Sequence, residues 1–187
     1  MKIIVAITGA SGATIGAKIV EALHDKKIET HVIVSEGAKV VLKHETNNSE
    51  EVLNKIKKNA SFFYTEKDLA APIASGSFKT DGMIVAPCSM KTLAAIAHGY
   101  SDNLITRAAD VCIKQKRKLV IVPRETPFSS IHLENMLKLS NQDVWIIPAV
   151  YGLFFKPKNA DDIEYYIAGK VLEAFDIAHN LYKRWQA

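Results

Sequence analysis

Five short runs of β-branched and other apolar residues, KIIVAIT, ETHVIVS, DGMIVAP, KLVIVP and DVWIIP, alternate along the chain with longer stretches of helical period. Apolar runs of this length, polar only at their ends, suit strands covered on both faces, as in a parallel sheet buried between helices. The alternation predicts a doubly wound, Rossmann-like α/β fold in one domain over residues 1–187. Length and composition agree. The 187 residues, 48% hydrophobic and 24% charged, fit one core on a prior of roughly 100 to 200 residues per domain.

Between the runs, GATIGAKIVEALHDKK sets Ile15, Ile19, Val20 and Leu23 on one face and ends in lysines, as helix C-termini prefer. LAAIAHGYSDNLITRAADVCIKQKRK predicts a helix, a break at Gly99 to Asp102, and a second helix capped by Ser101 or Asp102. A third stretch opens with Asn159 as a cap and an acidic first turn. Three runs end in Pro87, Pro123 and Pro148, which cannot donate to a ladder and so mark where the chain leaves the sheet; the others end at Thr8-Gly9 and Ser35. In a parallel sheet all these exits share one edge. Ser11, Ser35, Ser89 to Thr92, Arg124 with Glu125, and Tyr151 are thus expected on one rim, where open α/β sheets bind ligands.

The net charge of +4 is spread among acids without a basic stripe, which argues against nucleic-acid binding and suits small anionic ligands. Cys88 and Cys112 lack any C-x-x-C or ligand spacing and the histidines are scattered, so no zinc site is expected and both thiols read as buried small hydrophobes. The N-terminal apolar run is too short for a membrane span and lacks a signal-peptide layout. A cytoplasmic protein is expected.

TGASGATIG, after the first strand, leads into a helix whose free N–H groups favour an anion; a plain turn with Ser11 as cap is the alternative. It lacks the G-x-G-x-x-G spacing, and the second strand exits through Ser35, without the acid that would hold an NAD ribose. APCSMKTLAAIA is a second such junction, where Ser89, Lys91 and Thr92 either cap a helix or hold a phosphate. Two junctions on one edge fit a phosphate-bearing planar cofactor such as FMN. Arg124 suits a phosphate and Glu125 proton exchange, unless the two form a surface pair. Ser129 and Ser130 read as helix caps, His132 and Met136 as packing, and Lys114 as part of a basic turn absent other information.

TGASGA, ASGSF, APCSMKTLAAIA, NLITRAADV, LVIVPRETPFSSIHLENMLKLS and the closing RW together resemble the flavin prenyltransferases, the UbiX-like family. The resemblance runs from the first strand to the tail and implies a homo-oligomeric flavoprotein, commonly a dodecamer. Such an enzyme joins a dimethylallyl group from dimethylallyl monophosphate to N5 and C6 of reduced FMN, and the prenylated FMN serves a UbiD-type decarboxylase. By position it implies that Gly9, Ala10, Ser11, Ser35, Ser89, Met90, Lys91, Thr92 and Arg124 hold FMN. Lys114, Arg124 and Lys170 would meet the prenyl phosphate with Arg107 close by, Glu125 and Ser11 would manage protons, and Trp185 would add aromatic surface from a neighbouring chain. Breaking the allylic C–O bond asks for cations on the departing phosphate and aromatic faces around developing positive charge, so no metal is expected where Lys and Arg suffice.

One departure concerns the donor. Where the family usually reads F-Y-x-x-P this chain has LFFKP, so Phe154 replaces a tyrosine whose hydroxyl would bond the prenyl phosphate, a loss of about 1.5 to 3 kcal/mol unless Tyr151 or Lys156 compensates. The alternatives are an altered donor preference, an FMN storage or regulatory protein without transfer, and a flavin-dependent cysteine decarboxylase, for which His44 lies near the expected catalytic histidine but PIASGSF replaces the expected motif.

Overall fold

The computed structural model describes residues 1–185, so the last two residues of the YKRWQA tail lie outside it. The chain runs β1 (Lys2–Ile7), α1 (Ala13–Asp25), β2 (Glu29–Val34), α2 (Glu36–Glu45), α3 (Ser49–Asn59), β3 (Phe62–Thr65), a 3-10 turn (Pro72–Ala74), β4 (Gly82–Cys88), α4 (Met90–Ala97), α5 (Leu104–Lys114), β5 (Lys118–Pro123), α6 (Ser130–Ser140), β6 (Trp145–Ile146) and α7 (Ala160–Ala174). The strands form one sheet in the order β3-β2-β1-β4-β5-β6, and every pairing is parallel.

Both faces of the central strands are buried, which is why their sequences read as unbroken apolar runs. Ile3, Val5 and Ile7 pack with α1 and α7, while Ile4 and Ala6 face the opposite side with α4 and α5. From β1 the chain builds outward through β2 and β3, then returns to build the other half from β4. The β1/β4 boundary is therefore the topological switch point, and loops leaving there open to opposite faces. Gly16 lets α1 cross this boundary: a Cβ there would collide with the Ala86 carbonyl oxygen and lie 2.7 Å from Ile7 Cγ1.

Four local details differ from the sequence expectation. β3 is a sixth strand, a short half-exposed edge without a continuous apolar run. β6 is only two residues long. β4 continues one residue past Pro87, with its register to β5 shifting between Val85 and Cys88, because proline can interrupt the ladder without ending the strand. α5 is capped by Asn103, not Ser101 or Asp102: Asn103 and Thr106 form a reciprocal capping box, which satisfies two orphan donors at once. Among the described residues no helix is long and apolar enough to cross a membrane.

Candidate functional site

The strand exits are laced together in lateral order. Ser35 N–H donates to the Ile7 carbonyl at 3.0 Å, Arg124 N–H to Cys88 at 3.3 Å, and Ala149 N–H to Pro123 at 3.1 Å. At the switch point the buried Thr8 does most of the joining. Its hydroxyl donates to the Pro87 carbonyl at 2.8 Å and accepts the Ser89 N–H at 2.8 Å. The exits of β2, β1, β4, β5 and β6 thus form one rim, with Ser35, Thr8 to Gly12, Ser89 and Arg124 along it.

Each exit presents donors. The N-cap of α1 is Gly12, in the left-handed conformation at φ 85° and without a side-chain cap bond, so Ser11 is not the cap that a plain turn would need. Gly12 N–H instead donates to Glu45 Oε2 at 2.9 Å, bringing the last residue of α2 back to the rim. Glu45 had no sequence signal, because the contact spans 33 residues. Gly9 is exposed, and a Cβ on it would lie 3.0 Å from the Gly37 backbone, so the loops after β1 and β2 meet through two glycines. Ser35 Oγ accepts Ala38 N–H at 3.0 Å; Ser89 Oγ accepts Thr92 N–H at 3.3 Å and donates to Thr92 Oγ1 at 3.1 Å. Capping and anion binding are compatible here, because Ser35, which caps through its oxygen, keeps a rotatable O–H, and Thr92, which accepts from Ser89, keeps its own. Ala10 is buried behind the turn, Met90 is partly buried and Lys91 is exposed.

Arg124 and Glu125 do not pair. Among the described residues the Arg124 guanidinium, partly buried, has neither a hydrogen bond nor an ion pair, and the exposed Glu125 accepts only its neighbour's Thr126 N–H, at 3.0 Å. Ser129 caps α6, and His132 Nδ1 reciprocates by accepting the Ser129 N–H at 3.2 Å, so His132 closes a cap where packing was expected. Cys88 and Cys112 are free and fully buried. Burial pushes both thiols up, Cys112 to about 12, so neither is a nucleophile.

Arg107, Lys114, Phe154, Lys170 and Trp185 sit on α5, on α7 and on the segments flanking α7. α5 starts near the rim, where Leu104 N–H bonds the Glu66 carbonyl just after β3, and runs down toward the start of β5. Arg107, in its first turns, donates to the Ala74 carbonyl at 3.0 Å and pairs with Asp110 at 3.0 Å. Lys114 is seven residues further, about 10 Å along the axis, at the opposite edge of its own sheet and 3.9 Å from Asp110. Lys170 Nζ lies 2.5 Å from Glu173 Oε2 on α7. Phe154 meets Phe155, Tyr166, Tyr182 and Trp185 edge-on, with Trp185 at 5.8 Å and 73% exposed. Lys156, Lys183 and Arg184 join Phe154, Phe155 and Trp185 around a recess of about 400 Å³. Tyr151 is exposed.

The family model described as Flavoprotein matches residues 1–184, which places the chain among the flavoproteins. The flavin prenyltransferase UbiX of Methanocaldococcus jannaschii is 49% identical over 185 residues, covering 99% of this chain and 98% of its own. The crystal structure of a dodecameric FMN-dependent UbiX-like decarboxylase from Escherichia coli O157:H7 matches with a TM-score of 0.95 at 47% identity, over 100% of both chains. AnUbiX (PadA1), solved in complex with FMN and dimethylallyl pyrophosphate, matches with a TM-score of 0.95 at 42% identity, over 100% of this chain and 97% of that one. The chain belongs to the UbiX-like flavin prenyltransferases.

Proposed function

We propose that the rim binds reduced FMN and receives on its N5 and C6 a dimethylallyl group from dimethylallyl monophosphate, the product passing to a UbiD-type decarboxylase. The observation that carries this reading is the Arg124 guanidinium, partly buried and unengaged among the described residues, on a rim that also holds the hydroxyls of Ser35, Ser89 and Thr92. A partly buried guanidinium without a partner is ready to take an anion, and a phosphate supplies the missing charge with bidentate hydrogen bonds. That donor set fits the phosphate of FMN, and the bare backbone at Gly9 lets a planar ring approach. When bound, FMN supplies the electron-rich ring edge that takes the prenyl carbons.

In this reading Ala10, Ser11, Met90 and Lys91 line the flavin, and Ser11 and Glu125 hold and move protons beside it. Lys114, at the far edge of its own sheet, serves the site of a neighbouring subunit in a homo-oligomer, a geometry supported by the dodecameric state of the Escherichia coli relative. Arg107, tethered to Ala74 and Asp110, steers the phosphate from the side. Phe154 offers a face without a hydroxyl, and Lys156 beside it supplies charge in place of the lost bond. The protein works as one domain in the cytoplasm. Identity of 49% to a flavin prenyltransferase sets cysteine decarboxylation aside.

Anaerobic incubation with reduced FMN and dimethylallyl monophosphate, followed by mass measurement of the extracted flavin, is expected to show the gain of one prenyl unit. An unchanged flavin that remains bound supports the storage reading instead.

A further inference from the structure

From Phe175 to Trp185 the chain forms neither helix nor strand, yet it folds back against one stripe of α7. Tyr166, Gly169, Lys170 and Glu173 recur at helical spacing, so they share a face. The tail lies on them. The Tyr182 ring is 4.9 Å from that of Tyr166, and a Cβ on Gly169 would fall 2.6 Å from Tyr182 Cε1 and 2.7 Å from His179 Cε1. Only glycine leaves room for this seat.

Glu173 is the hub of the contact. Its Oε1 accepts the Tyr182 hydroxyl at 2.6 Å, with His179 Nε2 at 3.4 Å and Arg184 Nε at 3.6 Å from the same oxygen, while Oε2 meets Lys170 Nζ at 2.5 Å. His179 is buried and its Nδ1 accepts the Leu181 N–H, so the proton sits on Nε2, facing the carboxylate. Burial works to raise the Glu173 carboxyl, but hydrogen bonds from Lys170 and Tyr182 outweigh it and hold the group below its usual value, as an anion. Two hydrogen bonds, from Tyr182 and Lys170, therefore meet on one carboxylate, with Arg184 at ion-pair distance and the buried His179 Nε2 close by but without a hydrogen bond; the residue after Arg184 is Trp185, packed on Phe154.

We propose that Glu173 is a positioning residue for the prenyl-donor end of the site: through Tyr182 and Arg184 it latches the tail so that Trp185 stays edge-on to Phe154, and it sets where the Lys170 ammonium lies. This rests on the reading of Phe154, Lys170 and Trp185 as donor-side residues. Glu173 acts on the donor through these neighbours, so its loss weakens donor binding without altering the chemistry of the flavin edge.

The test uses the full chain loaded with FMN, in a Trp145→Phe background so that tryptophan emission reports Trp185 alone; the sequence has two tryptophans. Glu173→Ala is expected to increase acrylamide quenching of Trp185 and to raise KM for dimethylallyl monophosphate about tenfold, with kcat and FMN affinity changed by less than about twofold. Glu173→Gln keeps an acceptor for Tyr182 and should give a smaller rise. Tyr182→Phe removes one hydroxyl bond and gives the same direction should Glu173→Ala fail to fold. Unchanged quenching, or greater quenching with unchanged KM, overturns the proposal. Trp185→Ala is measured alongside: if it leaves KM unaltered, the donor-side reading of Trp185 falls, whereas the quenching of the Glu173 variants still reports whether the latch exists.

Discussion

Replacing Glu125 with Gln is expected to slow prenyl-flavin formation by about 10²- to 10⁴-fold, the usual contribution of a positioned proton donor or acceptor, while FMN stays bound. The geometry makes this substitution unusually clean. Glu125 is exposed on the rim, is not neutralised by Arg124, and uses only one oxygen, for the Thr126 N–H. A Gln amide oxygen takes over that single bond, so the loop keeps its shape, and what disappears is the capacity to exchange a proton at the second oxygen. Anaerobic single-turnover absorbance gives the rate, and a parallel FMN titration gives the affinity. Turnover equal to that of the parent protein would remove the carboxylate from the chemistry, and loss of FMN would make it a binding group.

Arg124→Ala should show the complementary pattern, with FMN binding weakened about 100-fold, near 3 kcal/mol for a bidentate phosphate contact. Its effect on stability should be small. The backbone of Arg124 is held by the Cys88 carbonyl, which the substitution leaves intact, and the guanidinium has no partner among the described residues that its removal would orphan. Arg124→Lys should recover only part of the affinity, because a point charge cannot reproduce the planar fork. Isothermal titration with FMN checks the series and thermal unfolding without FMN provides the control. A large drop in melting temperature with normal FMN affinity would assign Arg124 to the scaffold.

Much of this arrangement is legible in the sequence. Ile3 to Ile7 and Leu119 to Val122 are buried on both faces, so each side of the sheet imposes the same apolar demand and the runs read without interruption. Once those runs are parallel, the convergence of Ser35, Ser89 and Arg124 follows from topology alone. β3 escapes notice because an edge strand, exposed at Phe62 and Thr65, carries no such demand. Glu45 and Glu173 are invisible for a different reason: their partners are set by how loops and tail fold back, and neither residue type nor spacing encodes that. Lys114 ends α5, seven residues past Arg107, with Asp110 at 3.9 Å, and which site it serves follows from subunit assembly, which the order of residues in one chain does not encode.

The central claim is that one rim, at the carboxyl ends of the parallel strands, holds the flavin. A crystal structure of the protein grown with FMN tests it most directly: the phosphate is expected within hydrogen-bonding distance of Arg124 and of the Ser35 or Ser89 hydroxyl, with the ring over Gly9 at the β1/β4 crevice. Flavin found instead at the opposite edge of the sheet, beside Lys116 and Trp145, with this rim empty, would contradict it.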